Sequence, residues 1–174
     1  VPQPITMTRA SAGTRVNPQG LVETVELLGS EEIENSSFNE GTDDWDEVGN
    51  SSLVVGNYQG RTNVANINIL GTGNSDRIKQ DFNYVNGVTY FISLDVYLVS
   101  GNFRCDTSNS VVPYDFVATN ITGSWQTLTG YFTAISTGTN GLWLRSSQQI
   151  NQFYISNISV KESTKNNLAR VDYD

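Results

Sequence analysis

"VTYFISLDVYLVSG", residues 88–101, reads as a strand with two unlike faces. Tyr90, Ile92, Leu94, Val96 and Leu98 form one alternating set, apolar apart from a single hydroxyl. Phe91, Ser93, Asp95, Tyr97 and Val99 form the other, mixing rings, a hydroxyl and a carboxylate. Side chains alternate across a strand with period two, so the first set is expected in a core and the second on a solvent- or ligand-facing side.

The same pattern continues on either side. "SSLVVGN" (51–57) and "TNVANINILG" (62–71) read as strands, with Ala65, Ile67 and Ile69 alternating with Asn66 and Asn68. In "DRIKQDFNYVNG" (76–87), Ile78, Gln80, Phe82 and Tyr84 share one face, and Asn86-Gly87 marks a turn. Further strands are expected in 111–119, 125–134, 141–147 and 153–162. Eight or nine short strands with hardly a helical window argue an all-β fold, an antiparallel sandwich or barrel.

Composition narrows the chemistry. The chain has 174 residues, 37% of them hydrophobic, enough for one domain with a core. No apolar run reaches the ~18 residues of a spanning helix, so no membrane insertion is expected. "VPQPITMTRA" (1–10) carries neither a basic leader nor an apolar signal core, so no secretion signal is read in it. The net charge of −8 and the lack of a basic cluster argue against nucleic acid as a partner. Histidine is absent. That removes Ser-His-Asp and Cys-His catalysis and the usual zinc sites. Cys105 is the single cysteine, so the fold stands without an intrachain disulfide, and Cys105 is read as structural.

Four segments in order carry a family resemblance: "NSSFNEGTDDW" (35–45), "IKQDFNYVNGVTY" (78–90), "WQTLTGYFTA" (125–134) and "FYISNISVKE" (153–162). Together they resemble the jelly-roll carbohydrate-binding modules found beside xylanases and glucanases. The resemblance implies an antiparallel jelly-roll β-sandwich over residues 30–163. Short extended flanks, 1–29 and 164–174, would lie on either side of it. The flank segments "TRASAGTRVNPQGLVETV" (8–25) and "NNLARVDYD" (166–174) are similar to paired segments of tailed-bacteriophage structural proteins. This second likeness implies a non-enzymatic virion protein, a capsid decoration, head fibre or tail appendage. It would sit on the particle surface among other virion proteins, as a homo-oligomer with a trimer favoured. The alternative is a carbohydrate-binding module of a secreted glycan-degrading enzyme.

The family resemblance also implies a structural calcium held between the opening and closing strands. Here the closing pair is Ser156-Asn157 in place of two aspartates, which leaves Asn39, Glu40 and Asn157 as candidate ligands of a weak site. Asp43, Asp44 and Asp46, around Trp45, read as turn residues, with Trp45 entering the core. For sugar recognition, aromatic faces stack on pyranose C–H groups beside hydrogen-bonding side chains. Asp95 and Tyr97 share the non-core side of their strand. Leu142 and Leu144 take the core, leaving Trp143 and Arg145 outward. If the two strands share a sheet, these four residues form one host-glycan patch; the competing reading packs Trp143 under a loop or a subunit contact. Trp125 matches the family's structural tryptophan and is left out, and Tyr58 and Tyr114 are weaker candidates near loops.

Overall fold

Ile92, Leu94, Val96 and Leu98 are completely buried and Tyr90 nearly so, so the alternation in this strand does mark the core side. The computed structural model describes residues 28–73, 75–107, 116–147 and 150–163, together with the backbone of Gly13–Val16 (β1) and Val22–Val25 (β2), which pair antiparallel. Residues 17–20 of the first flank segment, Tyr114 and the flank 164–174 lie outside the described residues.

Every regular element described is a strand. After β1 and β2 come β3 (Leu28–Glu31), β4 (Asp46–Val48), β5 (Ser51–Tyr58), β6 (Arg61–Ile69) and β7 (Arg77–Tyr84). They are followed by β8 (Thr89–Leu98), β9 (Phe103–Asp106), β10 (Val117–Thr119), β11 (Trp125–Thr133), β12 (Gly138–Arg145) and β13 (Asn151–Ser163). One sheet runs β10-β9-β12-β7-β4; the other runs β11-β8-β13-β6-β5, with β3 pairing the far end of β13. All pairings between these strands are antiparallel. The result is the antiparallel jelly-roll sandwich.

The two sheets bury their apolar faces against each other. Phe103 of β9 meets Phe153 of β13 at a 5.0 Å ring separation, and Phe82 of β7 packs edge-on to Tyr90 and Phe132 of the facing sheet. Aromatic pairs at such separations add about 0.5–1.5 kcal/mol each beyond their buried area. Cys105 is fully buried among them. The turn Val85–Val88 closes with a bond from Val88 N–H to the Val85 carbonyl, and carries the chain from β7 in one sheet to β8 in the other.

Two expectations are corrected. Residues 35–45 form consecutive turns, and no strand opens there. Asn35, Phe38 and Asp44 adopt positive φ, and the Asn35 amide donates to the carbonyls of Gly41 and Asp43 while its oxygen accepts from Glu40 N–H. One asparagine thus satisfies the backbone groups that a ladder would otherwise pair. Trp45 leaves this loop for the core, 5.4 Å from Phe38. The second correction concerns β3, β4 and β9, strands of three or four residues that periodicity did not pick out.

Candidate functional site

Asp95 and Tyr97 project from β8 and Trp143 and Arg145 from β12, in each case away from the buried face. The strands belong to different sheets. The single four-residue patch is therefore not formed: its two halves lie on opposite outer faces of the sandwich.

On the five-stranded sheet, cross-strand register assembles charged side chains around one indole. Trp143 lies opposite Lys79 on one side and Asp106 on the other, and the next outward row is Arg77, Arg145 and Arg104. The Arg77 and Arg145 guanidiniums lie 4.2 and 5.2 Å from the Trp143 ring centre, within cation–π range. Asp106, only 2% exposed, receives Arg145 through Nε at 3.0 Å and a second guanidinium nitrogen at 2.6 Å, and Arg104 at 2.7 Å. Arg145 is thereby fixed before any ligand arrives. Lys79 bonds Asp81 at 2.9 Å; that bond comes first among the influences lifting the ammonium above its usual range.

Two donors on this face are left over. Trp45 and Trp125 donate their indole N–H to the carbonyls of Asn35 and Gln59, but Trp143 Nε1 has no acceptor among the described residues. Arg77 Nε is buried without an acceptor as well. Burial, then the nearby Arg145 charge, lowers the pKa of the Arg77 guanidinium, which has no carboxylate ion-paired to it among the described residues. Depressions flank the row. One, of about 360 Å³, is lined by Asp44, Asp46, Gln80, Asp81 and Asn83 among others, and one of about 380 Å³ by Asn102, Arg104, Thr119 and Ser147 among others.

On the six-stranded sheet, Asp95 accepts from Arg61 at 2.6 Å, Thr127 at 2.6 Å and Asn157 at 3.1 Å. Burial alone would raise this carboxyl. The three hydrogen bonds and the Arg61 charge outweigh it and hold the group below the usual carboxylate range. Tyr97 stands beside Trp125 and Tyr154, and Tyr58 stacks on Tyr154. Trp125, left out of the sugar patch as the family's structural tryptophan, is a half-exposed surface residue covered by Arg61 at 4.1 Å. Tyr154, Arg61, Arg77 and Asp106 were missed from sequence. Their outward alternation was visible, but which strands neighbour one another was not.

Among the candidate calcium ligands, no hydrogen bond joins Asn157 to Asn39 or Glu40. Asn157 donates its Nδ2 to Asp95, the Asn39 oxygen accepts from Asn63 at 2.6 Å, and Glu40 is exposed with no bond to either. One carboxylate and two amide oxygens, that of Asn39 already accepting from Asn63, do not fit an ion that takes six to eight oxygens. No group of three or more acidic, His or Cys side chains able to hold a metal occurs among the described residues. No helix there is long and apolar enough to cross a membrane.

Comparison with known proteins gives this geometry a family. The chain is similar in fold to a CBM4 structure, with 21% identity and a TM-score of 0.54, over 75% of this chain and 99% of that one. It is similar to the CBM22-1 and GH10 modules of Clostridium thermocellum endo-1,4-β-D-xylanase 10B complexed with xylohexaose, at 15% identity and a TM-score of 0.57. That match covers 78% of this chain and 28% of the xylanase chain. It is also similar to the enzymatically active domain of bacteriophage CBA120 tailspike protein 4, at 10% identity and a TM-score of 0.54, over 76% of this chain and 21% of that one. At these identities the likeness is one of fold. No curated protein matches the chain. The family model described as "carbohydrate binding domain" matches residues 30–146, two-thirds of the sequence, and the chain belongs to that family.

Proposed function

We propose that the outer face of the five-stranded sheet is a glycan-binding site centred on Trp143. The observation that carries this reading is the half-buried Trp143 indole, flanked by the Arg77 and Arg145 guanidiniums, with an Nε1–H that no described residue accepts. The Arg77 Nε–H is buried, whereas the Trp143 Nε1–H is open to solvent, where a ligand oxygen can accept from it. Sugars carry many such oxygens together with an apolar C–H face for the indole. Arg145 and Asp106, locked in their ion pair, are preorganised to meet hydroxyls without further loss of side-chain freedom. The site binds and does not cleave: both oxygens of its deepest carboxylate, Asp106, are engaged by arginines.

The module is mounted on the surface of a tailed-phage particle through segments 1–29 and 164–174, as a trimer, and serves adhesion to host-surface glycans. The paired flank motifs support this, together with the occurrence of a similar fold in a phage tailspike. A second reading, a module of a secreted glycan-degrading enzyme, is favoured by the similar fold joined to GH10 in the xylanase.

A glycan array carrying bacterial surface polysaccharides beside xylans and glucans tests both. The expected result is retention of a bacterial glycan by the wild type and its loss in Trp143→Ala. Retention of plant-wall xylan or glucan alone selects the enzyme-borne reading. Binding unchanged by Trp143→Ala overturns the site.

A further inference from the structure

We infer that the outer face of the six-stranded sheet is a second, separate glycan-binding surface, laid out for an extended chain of pyranose residues running across the strands. The inference rests on the reading of this chain as a glycan binder but not on the location of the Trp143 site.

One register row supplies the rings. Trp125 of β11 lies opposite Tyr97 of β8, and Tyr97 lies opposite Tyr154 of β13. Tyr58, at the end of β5, folds its ring back over Gly56, where a side chain would meet it at 3.0 Å, and stacks on Tyr154. Successive ring centres are 5.0 Å (Tyr58–Tyr154), 5.9 Å (Tyr154–Tyr97) and 5.7 Å (Tyr97–Trp125) apart. Neighbouring strands are about 4.8 Å apart, so three adjacent strands present a ring each. A glycan chain perpendicular to the strands meets the stacked Tyr58–Tyr154 pair, then Tyr97, then the Arg61 guanidinium where it lies over the Trp125 ring. All four rings are half-buried, held in place yet open to solvent.

The borders of the row are polar on both sides. Toward one side stand Thr127, Asp95 and Ser156 in register, with Arg61 and Asn157 bonded to Asp95. Arg61, Asp95, Ser156 and Asn157 line a depression of about 390 Å³ there. Toward the other stand Gln152, Asn68 and Ser52, with Gln152 Nε2 donating to Asn66 and Asn68 to Ser52. Aromatic rings between rows of amides, hydroxyls and one ion pair match the alternating C–H and hydroxyl surfaces of a sugar chain. An interface with another protein calls for an apolar core in the patch, and aliphatic side chains are nearly absent from this one.

The test is backbone ¹H–¹⁵N shift mapping of the whole chain titrated separately with xylohexaose and cellohexaose, for wild type, Trp143→Ala, Tyr154→Ala and Tyr58→Ala. Tyr58, at a strand end, provides a variant that leaves the central rings in place should Tyr154→Ala fail to fold. The expected result is saturable shifts at Tyr97, Asn66, Gln152 and Tyr154 that persist in Trp143→Ala. Affinity at this face falls at least tenfold in Tyr154→Ala or Tyr58→Ala, while shifts near Trp143 are untouched. Shifts near Trp143 alone overturn this inference and leave the proposed function standing. Shifts on the aromatic row alone uphold the inference, and the Trp143 site is then decided by the glycan array. No shifts with either sugar overturn the inference. Row shifts that follow protein concentration without sugar identify a self-association face and overturn it too.

Discussion

The Arg77 guanidinium lies 4.2 Å from the centre of the Trp143 ring, and each of these side chains carries an ε N–H that no described residue accepts. The Trp143 donor is open to solvent and the Arg77 donor is buried, and substitutions of these two side chains test the proposed site.

Trp143→Ala removes both the ring and a donor. Truncating an anchoring aromatic removes about 2 kcal/mol or more of binding, roughly thirtyfold in Kd. Arg77→Lys keeps the charge but loses the planar guanidinium that lies over the indole, so roughly fivefold to tenfold weaker binding is expected. Calorimetric titration with the glycan that the wild type retains checks both. Equal affinity in all three proteins would remove Trp143 and Arg77 from the site.

How far the sequence revealed this arrangement follows from the range of each signal. Alternation is local, so Leu142 and Leu144 inward and Trp143 and Arg145 outward were legible, as were Asp95 and Tyr97 on β8. Sheet membership is not local. β7 and β8 are joined by a four-residue turn yet lie in different sheets, while Tyr97 and Tyr154 are paired across more than fifty residues. Trp125 was left out because a motif match names a position in the chain, whereas burial depends on which face of β11 is covered. The loop 35–45 was mistaken for a strand because Asn35 pairs the backbone through its side chain, which periodicity does not register.

Gly71 and Asp76 form a close contact on which the loop between β6 and β7 depends. Asp76, 5% exposed, accepts from Asn50 N–H at 2.9 Å and Gly73 N–H at 3.1 Å, and its carboxylate occupies the space a side chain at Gly71 would need. Gly71→Ala displaces that carboxylate from its donors. Destabilisation of about 1–3 kcal/mol is expected, and Asp76→Ala should cost a similar amount by orphaning two N–H groups. Urea midpoints of the two single variants and the double variant check this. The double variant should be less destabilised than the sum, because the two residues share one contact.

Calcium removal is expected to change nothing. Asn39, Glu40 and Asn157 supply one free carboxylate, and Asn157 already donates to Asp95. Thermal midpoints in excess calcium and in excess chelator should coincide. A rise of several degrees with calcium would require another ligand set and would refute this account of the closing strand.

Asp95 gives a pH dependence whose sign follows from its surroundings. Hydrogen bonds from Thr127, Asn157 and Arg61 overcome the effect of burial and hold its folded pKa below the ordinary value. A depressed carboxylate binds fewer protons folded than unfolded. Its stabilising contribution is therefore complete above the unfolded pKa of about 4 and fades as pH falls through the lower folded value. Asp95→Asn removes that dependence along with the charge-assisted bonds, and should lower stability at pH 7 by about 1–3 kcal/mol. Unfolding midpoints at pH 7 and at points between pH 5 and 2 provide the measurement. The gap between wild type and variant should narrow as the solution is acidified below about pH 4. A gap of constant width would mean that Asp95 stabilises the sheet by its shape and not by its charge. Arg61 would then owe its position over Trp125 to the indole alone.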